Sequence, residues 1–413
     1  MINLHYQQPS NTSLEAFRQQ SDPMADQLIQ DLYQKLPPKD IGRLFQNFLS
    51  DMKDIKYDEL PQEMQTYFKQ NQAYPDWVDW VKIEQAGKLF LQIGPEYAIA
   101  LLFRSLPVGY VSANTVKVLT STGYLAKDVK SGTAKRLLET TQFIIDVMGT
   151  DAIRPNQRGL KSILKVRFIH AMVRYHLLKH EWDSGRYGIP INQEDMAGTI
   201  LTFGVGAIIG LERMNVKITA DEKDALVHFW SVVGHFIGVE AKINPSTYKE
   251  GRQLYLQILE RQAVQSEDGL VLTKALSNFA KGFLDFDQAP HIQEHLIRYL
   301  IGNKKYSDML GLRRPDTLTE KITFNGFIGF LKTMNSIRGN ELIDTLTKPL
   351  SRIFATKLLD YFYNEFELKI NFPNEIREHW GIYEDRNRSF SNTFEQLIAQ
   401  TASKLSLGAI KFR

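Results

Sequence analysis

The chain has 413 residues, of which 43% are hydrophobic and 23% are charged, and it carries a net charge of +3. This composition is typical of a globular protein, and so small a charge does not indicate a nucleic-acid partner. Because the sequence contains no cysteine, disulfides, thiolate nucleophiles, iron–sulfur clusters and thiolate-ligated metals are excluded.

The first residues, MINLHYQQPSNTSLEAF, are polar and lack the apolar segment of a signal peptide, so we expect a cytoplasmic protein. The longest uncharged apolar run, Met196 to Leu211, is shorter than the roughly 20 residues that cross a bilayer. It predicts a buried helix and no integral membrane segment. Its Gly-rich part, Phe203 to Gly210, indicates close helix packing, with substrate entry past it as the alternative.

Apolar residues recur mainly at helical spacing along the chain, and alternating strand patterns are few. The sequence therefore predicts an all-α fold. We divide it into an N-terminal helical extension (1–74), a core (75–302) and a C-terminal helical extension packed on the core (303–413). The predicted helices cover residues 41–52, 76–92, 95–104, 110–120, 132–148, 159–182, 193–214, 221–238, 248–262, 267–284, 288–302, 323–334, 340–366 and 389–406.

Two of these helices begin with recognisable capping residues. Asn192 precedes an apolar run that has Glu194 and Asp195 in its first turn, where carboxylates interact favourably with the helix dipole. Thr219 is followed three residues later by Glu222, which fits a capping box.

The predicted helix at 159–182 carries Arg167, His170 and Arg174 at spacings of three and four residues, which place them on one face. The rest of this helix is apolar nearly all round, as is typical of a buried helix. Buried guanidinium groups need partners because they keep their charge. Either acidic residues of neighbouring helices pair with them while the histidine donates to a carbonyl, or a ligand with two carboxylates does. A haem, with the histidine as its iron ligand, has that shape.

The predicted helix at 132–148 places Arg136, Glu139 and Thr140 on one face, which Phe143 and Val147 continue in apolar form. Such a polar cluster is either a solvated rim or the polar floor of a pocket. Its spacing leaves both interpretations open.

An ordered series of motifs resembles the latex-clearing proteins and the related MpaB-like oxygenases. The resemblance covers about residues 75–245 and rests on the segments PDWVDW, SLPVGY, TGYL, KRLLETTQF, VRFIHAMVR, GIPINQEDMAGT and HFWSVVGHFIGV. It implies an all-α fold with a globin-like core, a non-covalently held haem b and O₂ as co-substrate. Members of the family cleave carbon–carbon double bonds of polyisoprenoids or of a prenyl side chain.

The resemblance also implies roles for the residues of the arginine–histidine stripe. His170 corresponds to the proximal iron ligand, and so to the metal-binding residue. Arg167 and Arg174 correspond to the arginines of the V-R-x-x-H-x-x-x-R pattern and are expected to bind the cofactor by neutralising its propionates.

On the opposite, distal side of the haem, the resemblance places Arg136 and Thr140, and with Glu139 they are the candidate catalytic residues. Rubber-cleaving members have a lysine where this chain has Glu139, and a carboxylate cannot act as the same neutral amine ligand. Their distal acid aligns with Thr120 here, with Asp128 nearby. These departures argue against rubber itself, and we expect an apolar, isoprenoid-like alkene as the substrate.

Three other interpretations remain open. A non-enzymatic haem-binding or gas-sensing protein would need the same proximal histidine. The segment HIQEH, residues 291–295, matches the H-x-x-E-H pattern of zinc peptidases but has no compelling third ligand in the sequence. His228 and His235, seven residues apart, are either core histidines or include a second haem ligand.

Overall fold

The computed structural model describes residues 5–50, 57–121, 129–284, 291–336, 358–366 and 370–380. Over these residues the chain forms helices and loops without any strand, and Ser112 and Ala263 make an isolated bridge. The all-α fold class is confirmed, and a globin-like core stays a prediction. The TGYL segment, Asp128, the predicted helix at 389–406 and most of the one at 340–366 lie outside the described residues.

In chain order the helices are α1 (Asn11–Phe17), α2 (Pro23–Lys35), α3 (Pro38–Ser50), α4 (Gln62–Gln70), α5 (Trp80–Gly109), α6 (Ala113–Ser121), α7 (Val129–Val147), α8 (Arg158–Lys179), α9 (Ser184–Tyr187), α10 (Gln193–Arg213), α11 (Ala220–Ile237), α12 (Tyr248–Gln262), α13 (Glu267–Lys281), α14 (Ile292–Ile301), α15 (Lys304–Met309), α16 (Leu318–Ser336), α17 (358–366) and α18 (Asn374–Trp380).

Both predicted capping motifs are present. The side chain of Asn192 accepts a hydrogen bond from the backbone N–H of Asp195 at 2.9 Å, at the start of α10. At the start of α11, Thr219 accepts from the N–H of Glu222, whose carboxylate accepts from the N–H of Thr219. Each motif satisfies donors that the first helical turn leaves without intrahelical partners.

The predicted break between residues 92 and 95 is wrong, because α5 continues through Pro95. A proline has no N–H to donate, so the carbonyl four residues earlier, on Leu91, loses its helical partner. The indole Nε1 of Trp380 donates to that carbonyl at 2.9 Å instead. A distant helix thus supplies the missing donor and keeps α5 continuous.

Each of α5 and α10 contains a π turn, and the two turns contact each other. Three carbonyl groups of the π turn in α10 accept hydrogen bonds from side chains of α5. The donors are Tyr97 to Phe203, Ser105 to Thr202 and Arg104 to Gly206, over 2.6–3.0 Å. Isolated π turns occur frequently at functional sites.

Two helices, α5 and α10, are long and apolar enough to cross a membrane by length and composition. In the folded chain, 72% of the most apolar window of each is buried inside the protein. A Cβ atom on Gly210 would lie 2.8 Å from the Cβ of Ala100, so the two helices cross closely. These features are those of core helices, and the predicted close packing of the Gly-rich segment is confirmed.

The N-terminal residues contain more structure than their polar composition suggested, since α1 and α2 were not predicted. Asp22 caps α2, and Pro23 occupies its first position, where a missing N–H has no cost. The buried residues Leu28, Ile29 and Leu32 form one apolar face of α2. This face packs against α8, so the N-terminal region contacts the helix that carries the arginine–histidine stripe.

Candidate active site

A cavity of about 770 Å³ lies between α5, α6, α7, α8 and α10. Its wall is largely apolar, and includes Leu101, Leu106, Phe143, Ile169 and Phe203. Its volume falls within the range of roughly 300–1,000 Å³ that is typical of small-molecule and cofactor sites. Four of the predicted site residues line this cavity: Arg136, Glu139, Thr140 and His170.

His170 lies in the wall that α8 contributes, and its ring is partly exposed to the cavity. Its Nδ1 atom has no hydrogen-bond partner among the described residues, so the predicted bond to a carbonyl is not formed by that nitrogen. Burial lowers the pKa of His170 to about 4, and the charge of Arg174 contributes to the fall. The imidazole is therefore neutral at pH 7, which is the form that binds metal ions.

The two arginines on either side of His170 do not line the cavity. Arg167 donates from Nε and Nη2 to the two carboxylate oxygens of Asp22, at 2.6 and 2.8 Å. Arg174 donates to Asp26 at 2.7 Å and to the backbone carbonyls of Pro190 and Ile191. Both guanidinium groups thus have acidic partners on α2, as in the first of the two alternatives that the sequence left open.

Helix geometry explains why the stripe divides in this way. Successive residues turn by about 100°, so Arg167 and Arg174 lie more than about 90° around the helix from Ile169 and Val173, which line the cavity. His170 lies between the two faces. Because α8 packs against α2, α7 and α11, its different faces meet different neighbours. A helix that is apolar all round does not reveal which neighbour each face meets.

Arg136 reaches the cavity from α7. No side-chain hydrogen bond and no ion pair involves its guanidinium within the described part of the chain. Burial lowers the pKa of Arg136, and the nearby Tyr110 and Glu139 oppose that change. A guanidinium nevertheless keeps its proton at any ordinary pH. Arg136 is therefore a permanent positive charge in the cavity wall.

Glu139 and Thr140 are half-buried in the same wall. The Thr140 hydroxyl donates to the backbone carbonyl of Arg136 at 2.9 Å, so its oxygen remains an acceptor toward the cavity. Of the two interpretations left open for this cluster, the polar floor of a pocket describes its position.

Sequence reasoning did not single out a second polar part of the wall, at the junction of α7 and α8. Arg158 and Asp146 form an ion pair at 2.8 Å, and burial raises the pKa of Asp146. Lys161 and Lys165 follow on α8 at the helical spacing of Arg158 and also line the cavity. The i, i+3, i+7 spacing of these three cations, which places them on one face of α8, could have indicated them.

Asp195 is a third carboxylate of the cavity wall, and it was expected only as a helix-start residue. It accepts hydrogen bonds from Thr115 at 2.9 Å, from Asn192 at 2.9 Å and from Gln262 at 3.1 Å. Burial raises its pKa. Two of these partners, Thr115 and Gln262, lie on α6 and α12, so no local pattern in the sequence could have placed them beside Asp195.

The remaining histidine candidates lie outside the cavity wall. The Nε2 atom of His228 accepts from the backbone N–H of Asp79 at 2.9 Å, which makes it a core histidine. His235 packs edge-on against Trp77. In the HIQEH segment, Glu294 accepts from the backbone N–H of Arg313. Within the described residues no group of three or more acidic or histidine side chains could hold a metal ion.

Residues 97–333, more than half of the chain, match the family model described as "ER-bound oxygenase mpaB/B'/Rubber oxygenase, catalytic domain". The chain belongs to this family. The resemblance inferred from the motifs is therefore confirmed, and the matched region includes all the lining residues of the cavity except Tyr33 and Gly42.

One similar relative is the "Rubber oxygenase" of Streptomyces sp. (strain K30), which is 25% identical over 269 residues. The match spans 64% of this chain and 64% of the length of that relative. A solved structure, "Structure of Latex Clearing Protein LCP in the closed state", superposes with a TM-score of 0.64 at 19% identity. It covers 83% of this chain and 91% of that chain, and it shows the fold.

Proposed function

We propose that this chain is a haem b-dependent oxygenase that uses O₂ on an apolar, isoprenoid-like alkene. In this proposal His170 is the iron ligand, and the cavity between α7 and α8 holds both haem and substrate. The observation that carries it is a neutral imidazole, with one ring nitrogen lacking a partner, in the wall of a large apolar cavity. Family membership supports the oxygenase reaction.

The chemistry of the residues around the cavity fits a haem in two respects. The volume of about 770 Å³ is that of a cofactor site, and the wall is mainly apolar, as a porphyrin requires. The imidazole needs no deprotonation before it can bind iron, since burial already keeps it neutral. The haem, when bound, would supply the redox chemistry by which O₂ is activated.

The two arginines that were expected to bind the haem propionates already have other partners. Because Arg167 and Arg174 are bound to Asp22 and Asp26, contact with propionates would require these ion pairs to break. A propionate contact from either arginine stays a prediction. In the described structure their contribution is to hold α2 against α8 behind His170, so they act on the histidine as positioning residues.

The other residues of the wall would act on the substrate and on O₂. The apolar side chains exclude water and bind a hydrocarbon chain without any loss of hydrogen bonds. Arg136 and the Thr140 oxygen supply the polarity near the reacting groups, and Glu139 can accept or return a proton through its carboxylate. These three residues are our candidate catalytic residues.

The deciding experiment is an absorption spectrum of the purified protein, oxidised and reduced, for wild type and His170→Ala. We expect a Soret band in wild type and its loss in the variant. His180→Ala is the matched control, because this histidine is exposed at the end of α8 and should leave the spectrum unchanged. A full haem complement in His170→Ala would contradict the assignment.

Oxygen consumption separates an oxygenase from the alternative of a non-enzymatic haem-binding or gas-sensing protein. We expect O₂ uptake and carbonyl products with isoprenoid alkenes such as squalene or geranylgeraniol. Saturated analogues of the same length are the control, since they lack the double bond. A haem-loaded protein that turns over none of a broad panel of alkenes would favour the carrier or sensor.

A further inference from the structure

A second, smaller cavity lies beside the candidate active site, and we call it the side pocket. Its volume is about 80 Å³, and it lies between α5, α7, α17 and α18. Pro95, Ala98 and Leu102 of α5 line it at helical spacing, so they share one face of that helix. Phe362 of α17 and Trp380 of α18 line it from the C-terminal side.

The side pocket shares part of its wall with the candidate active site. Leu101, Leu106, Thr140 and Phe203 line both cavities, so a single layer of side chains separates them. Leu106, Thr140 and Phe203 are only half-buried, which leaves part of their surface facing open space. Because side chains in protein interiors change rotamers, a molecule of two atoms can pass between them.

The polar side chains among the described residues of the side pocket have already used their donors. These side chains belong to Tyr97, Thr140, Thr141 and Trp380, and each donates to a backbone carbonyl at 2.6–2.9 Å. A water molecule in a cavity needs roughly two to four polar partners, and apolar cavities stay dry. We therefore expect the side pocket to be dry.

The volume of the side pocket limits its occupant to a very small molecule. An apolar cavity of about 150 Å³ binds one benzene molecule or xenon. The side pocket, at about 80 Å³, has about half that volume. It is therefore too small for the five branched carbons of an isoprene unit, but it can hold a diatomic gas.

We propose that the side pocket is a binding site from which O₂ enters the candidate active site. This inference rests on the proposed function, which makes O₂ the co-substrate. O₂ is apolar, so its transfer from water into a dry apolar cavity is favourable. Thr140, a candidate catalytic residue, belongs to the shared wall, so O₂ leaves the side pocket beside that residue.

Xenon is the first probe, because it is a small apolar atom whose binding requires neither haem nor turnover. The full chain, labelled at its methyl groups, is titrated with xenon and followed by NMR. We expect saturable shifts at Leu102, Leu137 and Ile145, which line the side pocket but not the larger cavity. Shifts confined to Ile169 and Val173 would place xenon in the larger cavity and would overturn the proposal.

Filling the side pocket should abolish xenon binding there. Ala98→Leu adds three carbon atoms on the α5 side, and Ile144→Phe enlarges a side chain of α7. Both variants should lose the xenon-dependent shifts of Leu102 and Leu137. Ala220→Leu, the same change at an exposed position of α11, is the control and should keep them.

The two filling variants lie on different helices because overpacking can destabilise a core. A cooperative thermal transition shows that each variant is folded. Folded variants that keep the xenon-dependent shifts would overturn the proposal, and so would a wild-type chain whose side-pocket methyl groups do not respond to xenon.

Kinetics of the haem-loaded enzyme connect the side pocket with O₂. In Ala98→Leu the KM for O₂ should rise more than the KM for the alkene, because the alkene occupies the larger cavity. Equal changes in the two constants, or no change in either, would overturn the proposal even if xenon binds. Failure of the proposed function is a different result, namely the absence of a Soret band that depends on His170, whereas the xenon shifts require no haem.

Discussion

Trp380 donates its indole N–H to the backbone carbonyl of Leu91, the one carbonyl of α5 that Pro95 deprives of a helical partner. The indole also fills the space beside Gly94, where a Cβ atom would lie 1.8 Å from it. A residue near the C-terminal end of the described chain therefore completes a helix that forms part of the cavity wall.

The contact between Gly94 and Trp380 predicts a loss of stability in Gly94→Ala. The added methyl group forces the indole away, so we expect a cost of about 1–3 kcal/mol from overpacking and a further loss as the Leu91 carbonyl becomes unpaired. The measurement is the thermal midpoint. Gly326→Ala is the control, since a Cβ there meets nothing within 4 Å and alanine favours a helix. Equal midpoints for both variants would refute the contact.

The ion pair between Arg167 and Asp22 predicts strong coupling between α2 and α8. Removing either partner leaves a buried charge, so Asp22→Asn and Arg167→Met should each destabilise the protein by about 3–5 kcal/mol. The double variant should cost less than the sum of the two. Chemical denaturation of all four proteins measures this coupling. Lys35→Met is the control. Lys35 also lies on α2, but its ion pair with Glu63 of α4 is at the surface, so the free energy of unfolding should change little. Additive losses would contradict a direct pair.

The buried His228 predicts that stability falls in mild acid. Its pKa is lowered to about 4 by burial, with Lys82 contributing, against about 6.5 in an unfolded chain. The unfolded state therefore binds the proton more tightly, and stability present above pH 6.5 is lost as the pH falls toward 4. The loss is up to about 3 kcal/mol for this group.

The test of this pH dependence is His228→Gln, which can still accept from the N–H of Asp79 but does not titrate. Between pH 6.5 and 4, the slope of the unfolding free energy against pH reports how many protons are taken up on unfolding. In His228→Gln this number should be smaller by about one. His180→Gln, at an exposed position, should retain the wild-type slope. A His228→Gln protein with an unchanged slope would assign the acid sensitivity to other groups.

If haem binds as proposed, Glu139 should affect the distal side without affecting the haem content. In Glu139→Gln we expect a full haem complement, together with a changed visible spectrum or turnover, because the variant replaces a carboxyl group of the cavity wall with an amide. Glu84→Gln, an exposed position on α5, is the control. If neither the visible spectrum nor the turnover changes, Glu139 lines the cavity without acting on the distal side.

Local signals in the sequence were reliable where the physical cause is itself local. Asn192 and Thr219 begin their helices as predicted, because a capping side chain bonds to a backbone group only three residues away. The continuity of α5 could not be predicted in this way. It depends on Trp380, which is 289 residues distant from Leu91 in the chain.

In the candidate site, too, the sequence predicted the local arrangement of residues but not their distant partners. Helical spacing placed Arg136, Glu139 and Thr140 on one face, and that face does meet the cavity. The same rule placed Arg167 and Arg174 with His170, but it could not show that their partners are on α2. That helix was missed because its N-terminal part is polar, although Asp22 and Pro23 are a typical helix start.

The paired π turns of α5 and α10 have a consequence for insertions and deletions. A π turn closes its hydrogen bond one residue later than an α turn, so each holds one residue more than the regular helix needs. Because the wider turn absorbs the extra residue, deleting one residue from either turn would restore regular α geometry, and carbonyl groups of the turn would regain helical partners. The hydrogen bonds that Tyr97, Arg104 and Ser105 now donate to the π turn of α10 would then be disrupted. Length in these two segments is therefore constrained as tightly as residue identity.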